Sequence, residues 1–262
     1  MIKKINELAV EDVAPICDHT FLYTPEFYRG KDIKDSVNIC NKEFKDFLEK
    51  MIYFPRTPYA LCVRPEYISH AKNFLQENWK IDTKIAAVGE GFPNGDIPTE
   101  FKINAAKLAV KEGANEIDFV LNYKALKEGD LNYVKRELEA IGKFGLNNNV
   151  LTKLILEISE LDNEQIKMAC KLADTYGIDF VKTSTGFSSG GATEEALKIM
   201  KKNFPRGIKM SGGVDEKNVY GLLEAASGRD DGMIDLDPLK IRIGESGLIK
   251  KLLAENTDNS GY

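Results

Sequence analysis

Short apolar runs rich in valine and isoleucine alternate with longer stretches of helical period along almost the whole chain. That alternation constrains the fold more than any other feature. Strands are expected at 15–19, 59–63, 83–88, 116–121, 152–157, 178–182, 207–210 and 239–243. Between them, amphipathic segments at 99–111, 131–144, 163–176, 193–202 and 216–226 predict helices. Glycines 113, 145 and 177 fall where left-handed helix caps are expected. Eight strands, each followed by a helix, predict an α/β fold of the (β/α)₈ TIM-barrel type. The interval from Asp118 to Lys153 is 35 residues, from Lys153 to Lys182 it is 29, and from Lys182 to Lys209 it is 27. Each accommodates one βα unit of roughly 30 residues. A doubly wound open sheet uses the same alternation and is the structural alternative. No linker interrupts the pattern, so residues 1–255 are expected to form one barrel domain, with 256–262 as a flexible polar tail.

Composition narrows the partners. A net charge of −5, with no basic clusters interleaved with aromatics, gives no reason to expect nucleic acid or an anionic membrane. The 4 cysteines are scattered without a CxxC pair, and no stretch approaches a membrane span; both point to reduced thiols in a cytoplasmic protein. Only 2 histidines occur, too few for the usual histidine-rich catalytic zinc site, so no metal is expected.

The chemistry is expected at the strand ends. Residues two apart on a strand share a face, which groups Phe180 with Lys182, Lys153 with Ile155 and Glu157, and Asp118 with Val120 and Asn122. If the leucine-rich faces pack on outer helices, the charged residues point into the barrel. A single such lysine is most simply an exposed strand-end residue. Three lysines and an aspartate at equivalent points of successive strands are harder to explain that way. Burial and a neighbouring ammonium both favour the neutral amine, and a neutral amine attacks carbonyls. Lys182, with Lys209 on the next strand, is such an arrangement.

The segments FVKTSTGFSSGGAT (180–193), GIKMSGGV (207–214) and RIGESG (242–247) resemble those of the deoxyribose-phosphate aldolases. So do ICDHTFL (16–22), LCVRPEYI (61–68), GFPNGD (91–96), EIDFVLNYKALKEGD (116–130) and KLILEISEL (153–161), in the order that family has them. The resemblance implies a class I aldolase barrel without metal or organic cofactor, acting in deoxyribose catabolism and forming a homodimer. It would interconvert 2-deoxy-D-ribose 5-phosphate with D-glyceraldehyde 3-phosphate and acetaldehyde. Lys182 matches the family's Schiff-base lysine, Lys209 the second lysine that depresses its pKa, and Asp118 the proton-relaying aspartate. Lys153 matches the lysine expected to hold Asp118 and a substrate hydroxyl. Tyr262 matches the end of a tail that, in some members, reaches the barrel mouth and could relay a proton.

Substrate contacts are expected from Asp18, Cys62, Thr185 and Ser211. Gly186, Gly190, Gly191, Gly212, Gly213, Gly244 and Ser246 are placed to cradle phosphate with backbone N–H groups. His19 reads as a structural strand-end residue. Three positions depart from the family pattern: Asp215 stands where arginine is expected, Glu245 where alanine is, and Gly247 where serine is. Both carboxylates would oppose a phosphate dianion if they faced it, although Asp215 can instead cap the following helix. Two further functions therefore stay open: a related lysine aldolase that prefers a non-phosphorylated sugar, and a barrel that binds sugar phosphate without catalysis.

Overall fold

The computed structural model describes residues 1–259 other than 32, 79 and 81. Among the described residues there are ten strands: β1 (Ile2–Lys4), β2 (Cys17–Phe21), β3 (Ala60–Val63), β4 (Lys84–Val88), β5 (Glu116–Val120), β6 (Leu151–Ile155), β7 (Phe180–Lys182), β8 (Gly207–Ser211), β9 (Met233–Asp235) and β10 (Ile241–Glu245). Eight of them close into a parallel barrel in the order β10-β2-β3-β4-β5-β6-β7-β8. The closed barrel excludes the open-sheet alternative. Each expected strand is found within two residues of its predicted start.

The strands are short and almost wholly buried, as they must be when helices cover one face and other strands' side chains fill the interior. Two strands escaped prediction. β1 pairs antiparallel with β9, Ile2 opposite Asp235, in a ribbon of three residues per strand that is too short to show a period.

The covering helices start on local signals. Asp130 accepts from the N–H of Tyr133 to open helix Leu131–Asn148. Asp162 and Gln165 form a reciprocal capping box at helix Asn163–Thr175. Thr193 accepts from Ala196 N–H at helix Glu194–Asn203, whose last turn carries Lys201 and Lys202 against the dipole. The expected cap at Gly145 is wrong. The helix runs on to Asn148 and ends on Asn149, which takes the left-handed conformation at φ 51°. Gly145 is needed for close packing, since a β-carbon there would lie 2.7 Å from Thr152 Cγ2. The last helix, Leu248–Asn259, takes in the first four residues of the expected tail. Tyr262 lies outside the described residues.

A buried ion pair that sequence reading missed joins helix Thr99–Glu112 to helix Leu131–Asn148. Lys102 Nζ donates to Glu137 Oε1 (2.6 Å), to Val120 O (2.8 Å) and to Gly95 O (2.5 Å), so all three of its hydrogens are used. The contacts tie the 91–96 loop to the end of β5. Lys102→Met should destabilise the fold by about 3–5 kcal/mol in denaturant titration, because Glu137 is left as an uncompensated buried charge. The double variant Lys102→Met/Glu137→Leu should recover most of that loss. Equal stability for the single and double variants would contradict the pairing argument. Among the described residues, no helix is long and apolar enough to cross a membrane.

Candidate active site

Strand alternation and register together build a charged barrel interior. Lys153 stands beside Asp118, Lys182 beside Lys209, and Lys209 beside Arg242 on adjacent strands. All converge on two carboxylates. Asp118 Oδ1 accepts from Lys153 Nζ at 2.7 Å, while Oδ2 accepts from Lys182 at 3.1 Å and from Lys209 at 2.9 Å. Asp18 Oδ2 lies 2.6 Å from Lys209 Nζ, and its Oδ1 accepts from Arg242 Nη1 at 2.6 Å. Below them Glu116 bridges Lys153 (2.6 Å) and Arg242 Nη2 (2.9 Å). Arg242 also stacks on Tyr59, its guanidinium carbon 3.7 Å from the ring centre. Cys62 Sγ comes within 3.8 Å of Asp118 Oδ2, so it faces this cluster with its thiol fully buried.

The charge balance of this cluster decides which group titrates. Lys153, Lys182, Lys209 and Arg242 supply four cations; Asp18, Glu116 and Asp118 supply three anions. One positive charge is left over in a low-dielectric interior, which favours release of one proton. Burial would raise the pKa of Asp118, yet Lys153, Lys209 and Lys182 together hold it well below the usual carboxylate range. Burial likewise works against a charged Lys209, but Asp118 and Asp18 push it well above an ordinary lysine. Lys153 is raised too: Asp118, Glu116 and Asp18 outweigh its burial. Lys182 alone among these lysines is pushed down, by burial first and then by the ammonium of Lys209. Having only the shared Oδ2 of Asp118 as carboxylate partner, Lys182 is the one that gives up the proton.

Lys182 also forms the floor of a cavity of about 440 Å³ at the C-terminal end of the barrel. Thr20, Tyr23, Thr185, Gly186, Ser211 and Ser246 are on its wall, with the backbone of Gly212, Gly213 and Gly244. Gly212 and Gly213 have φ of +83° and +67°, which a side chain would oppose, and this turns a run of peptide groups along the cavity edge. Gly190 and Gly191 do not line it. They pack beneath, where a β-carbon on Gly191 would fall 2.2 Å from Gly212 O and one on Gly190 would fall 2.7 Å from Ser159 Cβ. Their role is close approach of loops, and the sequence reading of them as cavity residues is corrected. Ser211 Oγ donates to Ser184 O at 2.6 Å, so its hydroxyl is engaged in holding two loops together.

Neither acidic departure from the family pattern offers a free carboxylate to the cavity, although Glu245 is part of its lining. Asp215 Oδ1 accepts from the N–H groups of Lys217 and Asn218 at 3.0 and 3.1 Å, forming a turn ahead of helix Val219–Ser227. Glu245 is buried, its Oε1 2.5 Å from His19 Nδ1 and its Oε2 accepting from Leu248 N–H at 2.8 Å. Asp215 lies outside the lining and both oxygens of Glu245 are engaged, so the condition for repulsion, a free carboxylate facing the phosphate, is not met. Asp215→Ala should therefore change kcat/KM for a phosphorylated substrate by less than about twofold, while costing about 0.5–1.5 kcal/mol of stability for each turn hydrogen bond lost. The helix itself is capped at Asn218, which corrects the expectation that Asp215 caps it. A tenfold change in kcat/KM would put that carboxylate back in the cavity.

Sequence reasoning missed Glu116 and Arg242, although the period-2 rule contains both: Glu116 is two residues before Asp118, and Arg242 two before Gly244. It also missed what Glu157 does. This residue takes a left-handed conformation at φ 57°, and its buried Oε2 accepts from the hydroxyl (2.5 Å) and N–H (3.2 Å) of Thr185. It fixes the loop that follows Lys182 instead of pointing into the barrel with Lys153. Among the described residues, no group of three or more His, Cys, Asp or Glu side chains is placed to hold a metal ion.

Residues 13–236 match the family described as DeoC/LacD family aldolase. A deoxyribose-phosphate aldolase from Thermococcus gammatolerans is 38% identical over 221 residues, covering 83% of this chain and 91% of the relative. One from Caldanaerobacter subterraneus is 35% identical over 235 residues, covering 87% and 92%. The solved structure of deoxyribose phosphate aldolase from Aeropyrum pernix superposes with a TM-score of 0.67 at 23% identity, covering 97% of this chain and 95% of that one, and shows the same fold.

Proposed function

The chain belongs to the DeoC/LacD family of aldolases, and on that premise we propose that it cleaves 2-deoxy-D-ribose 5-phosphate to D-glyceraldehyde 3-phosphate and acetaldehyde through a Schiff base on Lys182. The observation that carries the assignment of Lys182 is its singularity. Of the four cations in this cluster it alone combines a depressed pKa with a place on the wall of the cavity.

The steps follow from what surrounds it. The neutral Lys182 amine adds to the C1 aldehyde of the open-chain sugar and water leaves, giving a protonated imine. The imine is the electron sink for breaking the bond between C2 and C3 as the C3 hydroxyl gives up its proton. Asp118, held ionised by the ammoniums of Lys153 and Lys209 and by the cation on Lys182, is the base available to that proton, directly or through a water. Lys209 keeps its proton and donates to the same carboxylate oxygen, so it is the acid that can resupply the enamine carbon by way of Oδ2. Lys153 pins the other carboxylate oxygen and leaves Oδ2 to the reaction. The phosphate lies against the backbone N–H groups of the 186 and 212–213 turns and Ser246, beside a Glu245 carboxylate whose two oxygens are engaged by His19 and Leu248 N–H. General acid–base assistance of this kind contributes on the order of 10²–10⁴-fold.

Borohydride reduction in the presence of acetaldehyde, followed by peptide mass mapping, tests the assignment. The expected product is one ethyl group on Lys182. An adduct on Lys209 or Lys153 would reassign the nucleophile, and no adduct would remove the covalent route.

A further inference from the structure

Glu157 combines two unfavourable features just past the end of β6. Its backbone sits at φ 57° and ψ 64°, the left-handed region that glycine takes freely and a side chain opposes. Its carboxylate is fully buried, forms no ion pair among the described residues, and leaves Oε1 without a hydrogen-bond partner. Glycine would relieve both at once. Strain of this kind beside a binding cavity points to what the side chain holds.

Oε2 holds Thr185 twice, through its N–H at 3.2 Å and its hydroxyl at 2.5 Å. Thr185 Oγ1 accepts from Phe187 N–H at 3.1 Å, so the hydroxyl turns its own hydrogen to Glu157. On the other side, Thr183 Oγ1 donates to Ser211 O at 2.8 Å and accepts from Ser211 N–H at 2.9 Å. The segment is clamped between the end of β6 and the end of β8. Gly186, exposed on the cavity wall at φ +85°, lies between two residues whose N–H groups are both taken. Its own N–H has no partner among the described residues. Thr185 has no hydrogen left for a ligand. The Gly186 N–H is the donor this turn can offer to an anion.

We propose that Glu157 is a positioning residue for the substrate phosphate, acting through Thr185 and setting how strongly the phosphorylated sugar is preferred over the free sugar. The proposal rests on the aldolase reading above. Glu157 lies outside the cavity lining, so its effect passes through the peptide that carries the Gly186 N–H. That peptide is bracketed by two held N–H groups, and its donor is aimed before the ligand arrives. A dianion then binds without first ordering the loop, so the gain falls on KM and leaves the bond-breaking step alone.

Glu157→Gly gives the test, because it suits the left-handed backbone, removes the buried carboxylate and deletes the clamp. The variant should melt within a few degrees of wild type. Its KM for 2-deoxy-D-ribose 5-phosphate should rise about tenfold, roughly the worth of one hydrogen bond to a charged group, with kcat within about twofold. For unphosphorylated 2-deoxy-D-ribose, kcat/KM should stay within about twofold of wild type. Glu157→Gln keeps a carbonyl oxygen for both Thr185 donors and should bring KM back to within about twofold. Thr185→Val should reproduce most of the loss. The double variant Glu157→Gly/Thr185→Val should be no worse than Glu157→Gly, because both changes break one clamp.

Calorimetry with sn-glycerol 3-phosphate, which has no carbonyl to react, reads the phosphate contact without turnover. Its Kd should weaken about tenfold in Glu157→Gly and hold at the wild-type value in Glu157→Gln. An unmoved Kd in Glu157→Gly, or a parallel loss of kcat/KM for both sugars, would overturn the positioning role. So would a Glu157→Gln variant no better than Glu157→Gly. If the calorimetric pattern appears but wild type cleaves neither sugar and gives no borohydride adduct, the aldolase reading has failed and the clamp stands.

Discussion

Lys182→Met should remove deoxyribose-phosphate cleavage to the limit of detection, a loss on the order of 10⁴-fold or more, while the barrel folds as before. Loss of the covalent step cannot be compensated from nearby, because Lys209 and Lys153 are each held protonated by two or more carboxylates and neither lines the cavity. The stability half of the prediction comes from the charge count. Removing Lys182 leaves three cations against three anions in the interior, so no unpaired charge is created, and a buried amine without a full set of partners is exchanged for an apolar side chain of similar volume. Thermal melting should be unchanged or shifted upward. A variant that melts many degrees lower would mean that Lys182 holds the barrel together, and its inactivity would then say nothing about chemistry. Residual turnover of a few per cent in a well-folded variant would end the nucleophile assignment.

The sequence carries most of the fold because buried parallel strands and capped amphipathic helices each leave a local signature. All eight barrel strands fall on short, mostly apolar runs set between longer stretches of helical period. What stays hidden depends on partners far along the chain. Arg242 looks like any strand arginine until Asp18, 224 residues away, is seen to accept from it. Lys102 and Glu137 sit on two separate helices and read as surface charges, yet both are fully buried. Asp215 and Glu245 show the opposite case. Their charge is legible and their direction is not, because one is set by a turn closed on Asn218 and the other by a histidine on the neighbouring barrel strand. Gly145 misled for a similar reason: a glycine required by a neighbouring strand and a glycine ending a helix look alike in one dimension.

Lys209→Met should move the pH at which Lys182 forms its imine upward and, at neutral pH, cost tenfold in reactive amine for each unit of that movement. The sign follows from two facts that point the same way. Lys209 is the nearest charge that holds the Lys182 pKa down, second only to burial. Its removal also takes the interior from four cations and three anions to three of each, so the cluster no longer gains by releasing a proton. Imine formation needs the neutral amine, so the rate rises with pH through the Lys182 pKa, and a raised pKa delays that rise. Asp118→Asn should act in the opposite direction on the same titration. It leaves four cations against two anions and removes the one carboxylate that contacts Lys182, so the amine loses its proton more readily. Imine trapping by borohydride should then begin at lower pH in Asp118→Asn than in wild type, even as cleavage falls about 10²–10⁴-fold for want of the base. Measuring trapping and cleavage separately across pH distinguishes the two roles. Shifts of the same sign in both variants, or an unmoved trapping profile in Lys209→Met, would show that the charge balance of the barrel interior does not set the reactivity of Lys182.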